Sequence, residues 1–249
     1  MKTYIYILIS IFLFACDSED AGDCFQTAGG LVVEEIEVSS FANILVNHDI
    51  EVVLKQDNEF RVIVETGKNL LNDVVVEVVE NELQLTDNNG CNFVRDYGIT
   101  KINVYAPDIN RIRSSTQYDI SSDGILAYSD LTLISENFNS PDSFAVGDFR
   151  LQIDNTRLAI ISNNISAFYI SGAVENLNLR FFAGSSRFEG ADLMAQNIEI
   201  YHRASNDMIV NPQLSISGEI LSTGDVRALN EPPNVDVVEL FNGRLIFED

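Results

Sequence analysis

Several residue types are scarce in this chain of 249 residues, and each shortage excludes a class of protein. There is no tryptophan, and there are only two histidines and three cysteines. The sequence contains no Cys-x-x-Cys or His-Glu-x-x-His pair, no Gly-x-Ser-x-Gly elbow and no phosphate-binding loop. We therefore expect no cofactor, no metal and no nucleotide.

Positive charge is also scarce. Fifteen lysines and arginines stand against 38 acidic residues, which gives a formal net charge of −23. A field of that sign repels nucleic acid and anionic lipid head groups, so nucleic acid is excluded as a partner. Segments of helical pattern do not alternate with the strand-like segments, and this excludes a βαβ enzyme fold.

A long apolar run is missing as well, but a short one begins the chain. Lys2 precedes an apolar stretch over residues 4–15, which is shorter than the roughly 20 residues that span a bilayer. Residues 1–15 therefore have the pattern of a signal peptide. Leu13-Phe14-Ala15-Cys16 resembles a bacterial lipobox, which predicts lipidation of Cys16 and attachment to outer-membrane lipid. The alternative is an ordinary signal peptide in which Cys16 has no role.

The segment after this cysteine predicts a solvated tether over residues 16–30. It contains "DSEDAGD", with four acids in seven residues, and acidic segments with few aromatics do not fold alone. It also resembles the export signal of surface lipoproteins, so we expect an outer-membrane lipoprotein on the cell surface. The alternative is a domain that faces the periplasm.

Removal of residues 1–15 takes away one lysine and changes the net charge from −23 to −24.

Two cysteines remain if Cys16 carries lipid. Cys24 and Cys91 would then form a disulfide in an oxidising envelope and tie the N-terminal segment to the turn "DNNGC". Two free thiols are the alternative.

The rest of the chain consists of short segments rich in β-branched residues, separated by Asn, Asp and Gly. We divide it into an N-terminal β section, residues 31–106, and a series of coils, residues 107–249, which together form one continuous unit. In the second part similar residues recur about every 20 positions, as in Phe168, Phe188 and Met208, and the corresponding strand before Phe168 is expected to begin near Phe144. This period without helices predicts a parallel β-helix. An antiparallel β-sandwich is the alternative.

Three stretches carry a resemblance to a known family. They are "FANILVNHDIEVVLKQ", "VIVETGKNLL" and the closing "STGDV…PP…GRLIF". The chain resembles the envelope lipoproteins of the auto-transporter adhesin, head GIN domain family over about residues 31–249. The resemblance implies a right-handed β-helix and an adhesin-like role, and it carries no catalytic residues.

The stretch "HRASNDMIV" offers the only cluster that looks catalytic, with His202 and Asp207 five residues apart. The 20-residue alignment places Phe181 and Ser162 in the same position as His202, one and two coils earlier. This indicates the inward end of a strand, where a neutral imidazole packs on a ring. Asp207 would point outward beside Arg187, so we expect no catalytic residues here.

Acidic residues leave one enzymatic alternative, because β-helices also host polysaccharide lyases and glycosidases that use clustered carboxylates. The candidates are Asp119, Asp123, Asp142, Asp148 and Asp154. Acids beside glycines and in turns more often cap loops.

Outward aromatic residues suggest a binding face instead. Tyr118, Phe149, Tyr169, Phe182 and Tyr201 are the candidates for outward positions on a long sheet. Such rings suit sugar rings or partner strands. The sequence thus predicts a non-catalytic adhesion or recognition role toward a surface glycan or a partner protein. The alternatives are a carbohydrate-active enzyme and a purely structural envelope component.

Overall fold

The computed structural model of the chain describes residues 23–138 and 143–248. Cys16, Asp142 and the expected signal peptide lie outside these residues. No helix in the described part is long and apolar enough to cross a membrane.

The described residues form an all-β structure of nineteen strands and two short 3-10 turns, and the strands belong to one mixed sheet. The turns are Asp23–Phe25 and Leu71–Asp73. The strands are β1 (Leu31–Ile36), β2 (Asn43–Val46), β3 (Glu51–Gln56), β4 (Arg61–Gly67), β5 (Val74–Val79), β6 (Glu82–Asp87), β7 (Lys101–Ala106), β8 (Arg111–Ser114), β9 (Ile120–Leu126), β10 (Asp130–Ser135), β11 (Phe149–Ser162), β12 (Ala167–Phe181), β13 (Arg187–Glu189), β14 (Leu193–His202), β15 (Met208–Val210), β16 (Pro212–Ile220), β17 (Val226–Ala228), β18 (Asn234–Glu239) and β19 (Leu245–Phe247).

The antiparallel pairs are confined to the N-terminal part of the described chain. There β4 lies between β1 and β7, and β5 pairs with β6. In contrast, β2 pairs in parallel with both β6 and β8, and β3 pairs in parallel with both β7 and β9. The N-terminal strands and the later strands therefore share one continuous set of hydrogen bonds.

From β8 onward the pairs are parallel, so the antiparallel sandwich considered above does not describe this part. Two ladders result. Ladder A contains β7, β3, β9, residues 149–155, residues 167–174, β13, β15, β17 and β19. Ladder B contains β6, β2, β8, β10, residues 157–162, 176–181, 197–202 and 215–220, and β18.

The pairing register agrees with the alignment made from the sequence. Phe168 pairs with Phe188, and Phe188 pairs with Met208. Leu177 likewise pairs with Leu158 on one side and with Ile198 on the other. These side chains are buried in one hydrophobic core, in which each level is covered by the levels on either side of it.

Phe149 was expected to point outward, and this was wrong. It pairs with Phe168 and is fully buried, with the two rings stacked at 5.1 Å between their centroids. The sequence alignment began this strand near Phe144, whereas β11 begins at Phe149. The shift of five residues, an odd number, exchanges the inward and outward faces of the strand.

His202 occupies the inward position that the alignment gave it, in register with Phe181 and Ile220. Its side chain is fully buried, and neither ring nitrogen makes a hydrogen bond of normal geometry within the described residues, although backbone groups of Asn206 and Gly224 lie close enough to favour its charged form. Burial lowers the pKa of His202 to about 4, while the charges of Asp207 and Asp225 oppose this only in part. The imidazole is therefore neutral at neutral pH and fills the end of an apolar column.

A disulfide joins Cys24 to Cys91 across 67 residues. It fixes the N-terminal segment on the loop that follows β6. The same segment is also held by the side-chain amide of Gln26, which donates to the carbonyl oxygen of Asn69 at 2.8 Å.

We predict that His202→Phe raises the free energy of unfolding and reduces its dependence on pH. At pH 7.5 the variant removes two buried polar atoms that make no hydrogen bond of normal geometry, which is worth about 1–3 kcal/mol of unfolding free energy. In the wild type the folded pKa of about 4 lies below the ordinary value of 6.5. Between these two pH values His202 is protonated in the unfolded state and neutral in the folded state. The free energy of unfolding therefore falls as the pH drops from 6.5 to 4.

The loss of unfolding free energy between pH 6.5 and pH 4 is on the order of 2–3 kcal/mol, and it should be missing in His202→Phe. Urea unfolding at several pH values measures the difference between the two slopes. His48→Phe, at the exposed histidine, is the matched control and should keep the wild-type slope. Equal slopes for wild type and His202→Phe would contradict the prediction.

We also predict that replacing Cys24 and Cys91 together by serine lowers the free energy of unfolding by about 2–4 kcal/mol, because the unfolded chain loses a cross-link over a long loop. Urea unfolding with and without a reductant measures this. The reductant should lower the stability of the wild type to that of the variant and leave the variant unchanged. A wild type that does not respond to the reductant would contradict the prediction.

Candidate binding surface at the corner between the ladders

The segments that lead from ladder B to ladder A stack on one another and form one long corner of the molecule. Hydrogen bonds between backbone groups join successive segments, as from Ser185 N to Asn164 O at 2.7 Å and from Ser205 N to Gly184 O at 2.9 Å. We call this surface the B-to-A corner. It consists of residues 88–100, 47–50, 115–119, 136–138, 143–148, 163–166, 182–186, 203–207, 221–225 and 240–244.

Most of the exposed phenylalanines of the described chain lie on this corner. Phe93, Phe138, Phe144 and Phe241 expose between 49% and 73% of their surface, and a fifth, Phe25, lies against Phe93. Scattered single apolar residues are normal on a protein surface, but a row along one edge is not. The corner is therefore the strongest candidate for a binding surface.

A groove of about 530 Å³ lies in the C-terminal part of the corner. The centroids of Phe138 and Phe182 are 6.2 Å apart, and the ring of Tyr201 lies 5.3 Å from that of Phe182. Arg203 and Phe241 also line the groove. It thus combines several ring faces with one exposed guanidinium group, which suits a ligand with both apolar faces and hydroxyl or acidic groups.

The sequence "FFAGSSR" makes this groove possible. Phe181 points inward, and Phe182, the next residue, points outward because side chains alternate along a strand. The chain then turns at Gly184, which has a φ of 78°, and a Cβ there would lie 2.2 Å from Asn164 O. Only glycine allows the two stacked turns to approach so closely.

Sequence reasoning missed most of the residues that line the groove, although the register of the 20-residue repeat contained a signal for some of them. The residue after each inward strand end of ladder B points outward into one column, which runs from Phe182 to Arg203, Leu221 and Leu240. Each backbone N–H in this column donates to a carbonyl oxygen of the preceding level, as from Leu221 N to His202 O at 2.8 Å. Phe138 and Phe241 lie in irregular segments outside the strands, and the 20-residue period could not place them.

The five aromatic residues proposed from the sequence do not form one strip. Phe182 lines the groove and contacts Tyr201, and Phe149 lies in the core. Tyr118 is on the corner, close to Gly98, and burial raises the pKa of its hydroxyl. Tyr169 lies on the outer face of ladder A, where the Arg150 guanidinium stacks over its ring at 4.1 Å.

The acidic residues considered for catalysis mostly form ion pairs with nearby basic side chains. Asp119 and Asp148 both bind Arg150, at 2.7 and 3.2 Å, and Asp123 lies 2.6 Å from Lys55 Nζ. Asp154 is exposed on β11. Among residues 23–138 and 143–248, no group of three or more His, Cys, Asp or Glu side chains is placed to hold a metal ion.

The outer face of ladder B carries a second depression, of about 520 Å³, lined by both polar and apolar residues. Its amides bond to one another and to the backbone. Ser215 Oγ donates to Asn197 Oδ1 at 2.8 Å, and Asn178 Nδ2 donates to Glu199 Oε2 at 2.8 Å. Arg180 also donates to Glu199. These mutual bonds support neighbouring strands and leave few groups free for a ligand, so this face is a weaker candidate than the corner.

Comparison with solved structures shows relatives of the same fold. A "putative adhesin" from Bacteroides fragilis is 16% identical, with a TM-score of 0.77 over 89% of this chain and 99% of the other. A "putative lipid binding protein" from Parabacteroides distasonis is 14% identical, with a TM-score of 0.59 over 88% and 97%. A "putative adhesin" from Parabacteroides merdae is 13% identical, with a TM-score of 0.56 over 89% and 97%.

Among curated proteins, none matches the chain significantly. The model of one protein family matches residues 40–232, well over half of the chain. The chain therefore belongs to the family described as "Putative auto-transporter adhesin, head GIN domain".

Proposed function

We propose that the protein is a lipid-anchored protein of the outer membrane that recognises a surface glycan without catalysis. The observation that carries the proposal is the groove in the B-to-A corner, where Phe138, Phe182 and Phe241 line a depression beside Arg203. Aromatic faces next to a hydrogen-bond donor are the chemistry that holds a sugar ring. The adhesin names of the family and of two structural relatives agree with this role.

The parallel ladders support the rest of the proposal. We infer that ladders A and B form the coils of a β-helix, since neighbouring rungs from β9 onward pair in parallel and are 17 to 29 residues apart. The resemblance to the family implies that the coil is right-handed. A stack of this kind is rigid and long, and it would hold the groove away from a lipid-anchored N-terminus. The ion pairs of Asp119, Asp148 and Asp123 favour a non-catalytic role over a carbohydrate-active enzyme.

Recognition of a partner protein is the second candidate, and one observation favours it. Within residues 23–138 and 143–248, the strand β18 pairs with β16 alone, so its other edge offers backbone groups that no described strand pairs with. Val235 and Val238 on this strand are exposed. An exposed edge of this kind accepts an added strand from a partner.

We predict that Phe182→Ala and Phe241→Ala each weaken glycan binding about tenfold, because each removes a ring face from the groove. The detergent-solubilised protein is first screened on a glycan array, and the best ligand is then titrated by calorimetry. Phe144→Ala is the matched control, since it removes an exposed ring of the same corner that does not line the groove. It should bind like the wild type.

Two outcomes would contradict the glycan proposal. One is an array on which the folded wild type binds no glycan. The other is equal affinity for the wild type, Phe182→Ala and Phe241→Ala. Product analysis of the same mixtures tests the non-catalytic claim, which fails if the bound polysaccharide is cleaved.

We predict that Cys16→Ala releases the protein from the membrane, because the residue that would carry the lipid is gone. Metabolic labelling with a fatty acid and fractionation of cells measure both properties, and the wild type should be labelled and membrane-bound. An impermeant reagent should also label the wild type on intact cells if it is displayed at the surface. A variant that stays lipidated and membrane-bound would refute the anchor, and an unlabelled wild type would refute surface display.

A further inference from the structure

A second cluster of exposed apolar side chains lies on the B-to-A corner, at its N-terminal end. Phe25 and Phe93 expose 58% and 73% of their surface, and Val94 and Tyr97 expose 51% and 73%. The rings of Phe25 and Phe93 pack against each other at 5.7 Å between centroids. We call this cluster the aromatic loop. It lies at the first level of the stack and does not line the groove that contains Phe182 and Phe241.

The aromatic loop is held in one conformation by covalent and polar contacts. The disulfide from Cys24 to Cys91 closes it, and Phe93 N donates to Cys24 O at 3.0 Å. Asn92 accepts from the N–H groups of Val94 and Arg95, and its amide donates back to Arg95 O at 2.7 Å. The exposed apolar side chains are thus carried by a rigid loop, and this is a costly arrangement unless they have a partner.

The polar groups of the loop are directed to the loop itself. Tyr97 Oη donates to Asn92 O at 3.3 Å, and the Arg95 guanidinium donates to Gln26 O and Asn89 O at 3.3 and 3.0 Å. Phe25, Phe93 and Val94 protrude without a side-chain hydrogen-bonding group. A sugar needs such groups, whereas a lipid surface needs only apolar and amphipathic side chains at the depth of the head groups.

The length of the chain before the loop decides which partner is within reach. Cys24 follows Cys16 by eight residues, which span at most about 28 Å when fully extended. If Cys16 is lipidated, the aromatic loop is held near the bilayer at all times. A weak apolar contact then becomes an intramolecular one with a high effective concentration.

We propose that the aromatic loop docks into the lipid surface beside the anchor, with Phe25, Phe93, Val94 and Tyr97 at the level of the head groups. This inference rests on the proposed lipidation of Cys16. The acidic net charge of the chain directs the loop to zwitterionic lipid, because anionic head groups repel it.

The absence of tryptophan from the sequence provides a clean test. Phe93→Trp and Phe241→Trp each introduce one fluorescent reporter at an exposed phenylalanine of the same corner. Position 241 is eight levels from position 93, roughly 40 Å at about 4.8 Å per level. Each full-length lipidated variant is reconstituted into phosphatidylcholine vesicles that contain brominated lipid, which quenches tryptophan only at short range.

We expect at least a twofold loss of emission and a blue shift for Phe93→Trp, and no change for Phe241→Trp. Adding Tyr97→Ser and Phe25→Ser to Phe93→Trp should reduce the quenching. If neither reporter is quenched in protein that floats with the vesicles, docking is overturned while the anchor stands. If both are quenched equally, the whole corner contacts lipid and docking by the loop alone is overturned.

A chain that does not float with vesicles would overturn the anchor and not by itself the docking. Docking is then tested with the double variant Phe93→Trp and Cys16→Ala. Phosphatidylcholine vesicles without bromine are added to this protein, and its tryptophan emission is measured. A saturable blue shift with added lipid supports docking, and an emission that stays constant up to millimolar lipid overturns it. The two proposals therefore fail by different measurements.

Discussion

Parallel pairing between segments about 20 residues apart is the constraint on which the rest of this structure depends. It stacks equivalent positions directly above one another, so each inward residue is covered only by the residues of the adjacent levels. Phe149, Phe168, Phe188 and Met208 form such a column, and Ser162, Phe181, His202 and Ile220 form another. His202 is neutral in its column because burial between Phe181 and Ile220 lowers its pKa to about 4.

The same constraint explains what could be predicted from the sequence. Where the chain follows a regular period, as from Leu158 to Leu177 and Ile198, spacing alone gives the register of the strands. Where the corner between two strands is long, spacing fails. The segment from β10 to β11 spans residues 136–148. Phe144 lies within this segment, and the strand begins only at Phe149. Applying the 19-residue step backwards from Phe168 would have reached Phe149 directly.

The candidate site was less predictable than the fold for a related reason. Strands fix the direction of a side chain by alternation, and by this rule Phe182 and Tyr201 were expected on the outer side, where both are half-buried. Corners vary in length and conformation, so the positions of Phe138 and Phe241 depend on turns that the period does not describe. The exposed rings of this protein lie mainly in those corners. Functional surfaces on irregular segments held by a regular scaffold are common for this reason.

The order of the levels also separates the two apolar clusters of the corner. The aromatic loop belongs to the first level and Phe182 to the sixth, so five steps of about 4.8 Å place them roughly 24 Å apart along the stack. In the proposed arrangement the disulfide from Cys24 to Cys91 fixes the lower end at the bilayer. A rigid stack docked at that end would hold the groove above the head groups, where a glycan could reach it. The lipid anchor alone would not set this height, because it fixes only one end of the chain and not the direction of the stack.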